Sequence, residues 1–350
     1  MSAARSRAPA MNNALSVALM RELQALLANG NGAPDTPLLL DVLFSYRQLL
    51  GRLPEFDGVP AFRERLAGCN LFDYVRSLLS APEFQARIYD MPDSDLAVMA
   101  QLPDNLRLWF YLKDRTVGLQ IALGRYEPEV LGALAGLLKP GMHCVDVGAN
   151  IGLFTVLMAA AVGPAGGSVH AFEPFPSAFA LLERNCAENQ LQPAVQLHAA
   201  ACHAAAGSIT IFSNPNPFGN MGHMFTPNHA GAAITTGMVG ITVPQVAVDE
   251  AVPAHKRIGL VKIDIEGAEP HALRGMQRIL QRDRPVLLAE FNPYCLRNMN
   301  ESDPAEYLAQ LRSYNYRVLD LADYLRGSDQ QFEYQPAPGE TLTQLVCLPN

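Results

Sequence analysis

Charge is scarce in this sequence: Asp, Glu, Lys and Arg make up 17% of 350 residues, and the net charge is −8. An acidic chain with no basic stripe gives no reason to expect nucleic acid as a partner. Tryptophan occurs once. The six cysteines (Cys69, Cys144, Cys186, Cys202, Cys295 and Cys347) are scattered and contain no C-x-x-C pair. That excludes a zinc ribbon or a dithiol redox motif. Cys144 and Cys202 fall in or beside apolar runs and read as small core residues, which argues for a reducing compartment. No run of apolar residues approaches the length of a membrane span. The short apolar run at 14–20 is cut by Arg21 and Glu22 before it could act as a signal segment. With 49% of its residues apolar, the chain has the composition of a cytoplasmic globular enzyme, long enough for one large domain and one small one.

What is present is concentrated in Val145-Asp146-Val147-Gly148-Ala149-Asn150-Ile151-Gly152. The apolar residues before Gly148 read as a strand of a parallel sheet, and 153–159 has helical spacing without a breaker. Small residues at such a junction let the backbone turn sharply and let a ligand approach the main chain. The next strand, 168–172, ends on Glu173, where an acid is placed to bind both hydroxyls of a ribose. Together these describe a nucleoside-binding half-domain. Gly148, Asn150 and Gly152 do not fit G-x-G-x-x-G, and Asp146 would repel a pyrophosphate. A carboxylate there suits a ligand with an ammonium and a sulfonium, as in S-adenosylmethionine (SAM). The alternative, a nicotinamide-dependent oxidoreductase, is disfavoured on the same grounds.

The second stretch is Leu260-Val261-Lys262-Ile263-Asp264-Ile265-Glu266-Gly267-Ala268-Glu269. An apolar strand ends here in acids, and Gly267 turns the chain into a helix over 270–280. Ligands of open α/β sheets sit at the carboxyl ends of strands. Asp264 and Glu266 are therefore expected at the same edge as Gly148 and Glu173. A further strand, 286–289, ends on Glu290.

The remaining chain divides into four parts. Residues 1–12 read as a disordered tail, 13–90 as a small all-helical module, 91–105 as a linker, and 106–350 as the catalytic domain. Within the last, 106–112 and 117–123 read as short strands, and a helix ends near 138. Another helix runs to 189, with strands after it at 195–201, 207–212, 241–243 and 245–249. The irregular stretch 213–240 is long enough to cover a site. A helix at 304–313 and strands at 316–319 and 342–348 complete an alternating pattern.

Tyr126-Glu127-Pro128, Lys139-Pro140-Gly141, the loop 145–152, Phe172-Glu173-Pro174 and the stretch 261–269, with Gly275 and Glu290 beyond it, together resemble the FkbM-type methyltransferases. The resemblance spans about residues 105–350. It implies a class I SAM-dependent methyltransferase fold: α/β, Rossmann-like, with a mostly parallel seven-stranded sheet. It also implies methyl transfer to an oxygen of a sugar or polyketide. Carried onto this sequence, the cofactor site is Glu127, Asp146, Gly148, Asn150, Gly152 and Glu173. One departure is His203-Ala204-Ala205-Ala206-Gly207, where the family shows a Ser-Asp pair before a glycine, so no adenine contact is carried over there. Residues 38–90 resemble the helical module related to phycobilisome linkers, which implies either docking on a partner or glycan, or a helical cap.

Methyl transfer from a sulfonium is an in-line displacement, so alignment is the main demand on the protein. A hydroxyl acceptor also needs a base near it. Asp264 is the first choice and Glu266 the second, with His223 in the long irregular stretch a further candidate. A divalent ion on Asp264, Glu266 and Glu290 is compatible with hard-cation chemistry. Nothing in the spacing requires one, and no metal residue is assigned. Glu269 reads equally well as a helix cap. The expected function is SAM-dependent O-methylation of a sugar, glycan or glycosylated intermediate. The alternatives are a polyketide or other secondary metabolite as acceptor and, from other classes, the oxidoreductase or a non-catalytic scaffold.

Overall fold

A computed structural model describes residues 78, 80–82, 97–111, 114, 116–213, 239–336 and 342–350. The chain forms two compact units, Met1–Ser94 and Asp95–Asn350. The expected tail, nearly all of the helical module and His223 lie outside the described residues. The architecture of the second unit is set by its strands.

That unit opens with a hairpin, β1 (Ala97–Gln101) and β2 (Arg107–Tyr111), paired antiparallel. Part of the expected linker is thus a strand. Its local sequence carries little β signal, but pairing with β2 sets Ala100 opposite Leu108, and both are buried. The segment expected as a strand at 117–123 is instead a short helix, α1 (Gly118–Ala122). The carboxylate of Asp114 accepts the N–H groups of Val117 and Gly118 at 3.0 and 2.9 Å, which starts a helical turn.

Next come α2 (Pro128–Leu137), β3 (His143–Val147), α3 (Leu153–Val162), β4 (Ser168–Phe172), α4 (Pro176–Glu188) and β5 (Val195–His198). After them lie β6 (Ala201–Cys202), β7 (Gly207–Ser213), β8 (Val239–Val246), α5 (Val248–Ala251) and β9 (Ile258–Ile263). The chain continues through α6 (Glu269–Arg274), β10 (Val286–Phe291), α7 (Pro293–Asn300), α8 (Pro304–Ser313), β11 (Tyr316–Asp320), α9 (Leu321–Leu325) and β12 (Thr343–Pro349).

Seven strands form one sheet in the order β11-β12-β10-β9-β3-β4-β5, with β12 antiparallel to both its neighbours. Strands β3, β4 and β9 are almost wholly buried, as expected of central parallel strands covered on both faces. The chain runs outward from β3 to β5, then returns to β9 on the other side of β3. The topological switch point is therefore the β3–β9 boundary, where open α/β sheets bind ligands. This is the Rossmann-like order of a class I SAM-dependent methyltransferase.

Three expectations are corrected in detail. The strand at 195–201 is split: β5 belongs to the large sheet, while β6 joins β8 and β7 in a second, three-stranded sheet. The strand at 245–249 ends at Val246, because Asp249 turns inward to accept the N–H groups of Arg278 and Ile279. The helix at 270–280 is interrupted at Gly275, where a Cβ would lie 2.0 Å from the carbonyl oxygen of His203.

Candidate active site

The loop after β3 makes three left-handed turns in five residues, with φ of 85° at Gly148, 51° at Asn150 and 95° at Gly152. Glycine accepts this conformation freely, and asparagine more readily than other side chains. Position 148 has a second requirement. A Cβ there would lie 1.9 Å from the carbonyl oxygen of Asp264, on the neighbouring strand end. The N–H groups of Gly148 and Ala149 both donate to the carbonyl of Phe172, so the loop folds back over β4. The pattern Gly-x-Asn-x-Gly is thus the backbone chemistry of a loop pressed against two strand ends.

Glu173 stands at the end of β4 and is 5% exposed. Its Oε2 accepts the Asn150 N–H and its Oε1 the Phe175 N–H, both at 2.8 Å. Each carboxylate oxygen can accept more than one hydrogen bond, so capacity remains for a ligand. Burial pushes its pKa up to about 7, against the two N–H bonds that pull it down. Gly148, Asn150 and Glu173 line a cavity of about 270 Å³ together with Lys262, Asp264 and Glu266. The acids of the two stretches therefore share one cleft at the switch point.

Asp146 departs from its expected place. It is fully buried and absent from the cavity wall, with Oδ2 accepting the Thr155 hydroxyl at 2.6 Å. Its other oxygen, Oδ1, is buried without a hydrogen-bond partner. Because β3 is covered on both faces, an in-strand acid points into the protein, and Asp146 lies beneath the loop. Burial raises its pKa, and the positive charge of Lys262 opposes that shift. Gly152 and Glu127 also stand off the wall. Gly152 is there for packing, since a Cβ would meet Leu182 at 2.7 Å. Glu127 adopts a left-handed φ of 40° and has a buried, unpartnered Oε2. Burial drives its pKa up, and Lys262 restrains it.

Lys262 has no role in the motif pattern, and the structure gives it one. It is 4% exposed, and its Nζ lies 3.1 Å from Asp264 Oδ2 and 4.5 Å from the centre of the Phe154 ring. Desolvation would neutralise it, but Asp264, Asp146 and Glu127 together hold it protonated. The available signal in the sequence is a single cation inside the apolar run of β9, with acids just after it.

Glu266 takes a left-handed φ of 55°, and Cys295 donates its S–H to Oε2 at 3.2 Å. Asn300 Nδ2 donates to the Glu266 carbonyl at 2.9 Å, so α7 grips the turn from both its ends. Burial and the neighbouring Asp264 push the Glu266 carboxyl well above the usual range. Glu269 is the capping residue: its Oε1 accepts the N–H groups of Ile265 and Gly267 at 3.0 and 3.2 Å. Glu290 is 6% exposed with one unpartnered buried oxygen, and burial raises its pKa strongly. Among the described residues no group of three His, Cys, Asp or Glu side chains could hold a metal ion. The arrangement of Asp264, Glu266 and Glu290 as ligands of one ion is thereby not supported. Among the described residues no helix is long and apolar enough to cross a membrane.

Part of the chain is similar to known proteins. Residues 146–318 match the family model described as Methyltransferase FkbM domain. Methyltransferase 1 of Beauveria bassiana (strain ARSEF 2860) is 29% identical over 145 residues, a match covering 38% of this chain and 57% of that protein. The 31-O-demethyl-FK506 methyltransferase FkbM of Streptomyces tacrolimicus is 28% identical over 170 residues, covering 40% of this chain and 61% of its own length. Methyltransferase sdnD of Sordaria araneosa is 30% identical over 156 residues, covering 38% and 59%. The chain thus spans less than two thirds of each of these curated relatives. Loop, acid and strand order agree with the family match: residues 146–318, just under half of the chain, are similar to the Methyltransferase FkbM domain, on a class I SAM-dependent fold.

Proposed function

We propose that the whole chain is a SAM-dependent O-methyltransferase acting on a hydroxyl of a small or sugar-like molecule. The observation that carries the reading is the single cleft that Glu173, held by two N–H donors, lines together with Gly148, Asp264 and Glu266. The donor set fits SAM. Among the described residues the only cation on the cavity wall is Lys262, already paired with Asp264, so a pyrophosphate would find no free positive charge.

Bound SAM supplies an electrophilic methyl on its sulfonium. The chain's own residues do the rest. Glu173 takes the ribose hydroxyls, and the left-handed loop brings its backbone up to the ligand. Asp264, held by Lys262, orients the acceptor hydroxyl. Glu266 stands nearer neutrality because burial and Asp264 raise it, and it accepts the hydroxyl proton at its carboxylate. Phe154 and Tyr126 supply apolar wall, which keeps water from competing with the acceptor.

The printed name of one relative, a 31-O-demethyl-FK506 methyltransferase, supports oxygen as the acceptor atom and a secondary metabolite as the molecule. The resemblance of residues 38–90 to the helical module related to phycobilisome linkers, where it implies docking on a glycan, supports a sugar. Calorimetric titration of the full chain with SAM, and with NAD in parallel, tests the cofactor. Transfer of labelled methyl to hydroxylated macrolides and to free glycans then separates the two acceptor classes. Binding of NAD in place of SAM would sink the reading.

A further inference from the structure

Asn185, on α4, is fully buried and makes three hydrogen bonds that join parts of the unit far apart in sequence. Its Oδ1 accepts the backbone N–H of Trp109 at 2.6 Å, and its Nδ2 donates to the Trp109 carbonyl at 3.0 Å. The same Nδ2 donates to the carbonyl of Ile151 at 2.7 Å. Ile151 lies in the cofactor loop, between Asn150, whose N–H is bound by Glu173, and Gly152. One turn further along the chain, Asn189 makes the same pair of bonds to Arg107, at 2.8 and 2.6 Å, but reaches no residue of the loop. Two amide side chains thus occupy the outer edge of β2, as a neighbouring strand would, and only Asn185 carries the connection inward.

The hairpin matters to the cavity because Thr116 and Val117, the fifth and sixth residues after the end of β2, line it. The loop holding Asn150 lines the same cavity. One buried amide is therefore tied to the elements that supply two parts of its wall. We propose that Asn185 is a positioning residue for cofactor binding, which sets the separation of these parts and couples the β1–β2 hairpin to occupancy of the loop. The inference rests on the reading that this cleft binds SAM. Trp109, the chain's only tryptophan, has its ring under the Arg184 guanidinium at 3.6 Å and its Nε1–H on Glu188. It reports on the coupling.

The test uses the full chain and SAM itself. In the unsubstituted protein, SAM is expected to slow amide exchange at 148–152 and also at Trp109, which lies outside the cavity, and to shift Trp109 emission. Asn185→Ala is expected to weaken SAM binding about tenfold, the scale of one buried hydrogen bond, and to abolish the response at Trp109. Asn189→Ala loosens the same strand without touching the loop and is expected to leave SAM affinity unchanged. Equal SAM affinities for the two variants would overturn the proposal. So would protection of the loop amides with no change at Trp109, a result that needs no variant and stands even if Asn185→Ala does not fold. Failure of the unsubstituted protein to bind SAM overturns the reading of the cleft together with this inference, whereas the other two outcomes overturn this inference alone.

Discussion

Lys262 Nζ lies 3.1 Å from Asp264 Oδ2, inside a strand end where Asp146 and Glu127 also face the same ammonium. One buried cation is shared by three acids from three different elements. Removing it leaves uncompensated negative charge on acids that are buried or half-buried. Lys262→Met is expected to destabilise the protein by about 3–5 kcal/mol at neutral pH. The loss should be smaller at low pH, where the acids protonate, and Lys262→Arg should recover most of it. Urea unfolding at two pH values checks this.

Burial raises the carboxyls of Glu173, Glu127, Glu266, Glu269 and Glu290 above their ordinary value of 4.5, with Glu173 at about 7. An acid whose folded pKa exceeds its unfolded one binds more protons when folded. Its contribution to stability is full below the unfolded pKa and is lost as pH rises through the folded one. The ligand-free protein is therefore expected to melt at progressively lower temperature as pH rises from about 4.5 past 7. Glu173→Gln should flatten that slope. Thermal melts across the window decide it, and a melting temperature that rises with pH would contradict the electrostatic picture.

Gly148→Ala confronts the left-handed φ of 85° and the carbonyl of Asp264 at 1.9 Å. The loop cannot keep its place on β9 with a methyl group there. A loss of about 2 kcal/mol or more in stability is expected. SAM binding, measured by calorimetry on whatever fraction folds, should fall below detection.

Glu173→Ala removes the acceptor of the Asn150 and Phe175 N–H groups together with the proposed contact to the ribose. SAM affinity should drop by about a hundredfold, since two to three buried hydrogen bonds are lost or misplaced. Isothermal titration reads the change directly.

With an acceptor in hand, Glu266→Gln should lower the single-turnover rate by about 10²- to 10⁴-fold, the usual worth of a general base, with SAM affinity retained. Asp264→Asn should act mainly on the KM for the acceptor. If Asp264→Asn alone stops the chemical step, the roles of the two acids are exchanged.

The sequence by itself determined the strands that carry the chemistry and the acids at their ends. Glu173, Asp264 and Glu266 are legible because a buried parallel strand reads as a continuous apolar run, and the first acid after it marks the carboxyl edge. The turn after β3 is legible because only small residues and asparagine tolerate three left-handed turns in five positions. The tertiary structure decided which polar residues line the cavity and which face the protein. Asp146 reads as a ligand contact, yet β3 is covered on both sides, so its carboxylate meets Thr155 and Lys262 instead. Asn185 and Cys295 carry no local signal, because their partners come from distant elements. The strand at 97–101 is illegible for the same reason, since its partner β2 and not its composition makes it a strand. Local sequence decides backbone geometry through steric limits that act over a few residues. The charge and hydrogen-bond partners of a buried group depend on what the rest of the chain packs against it.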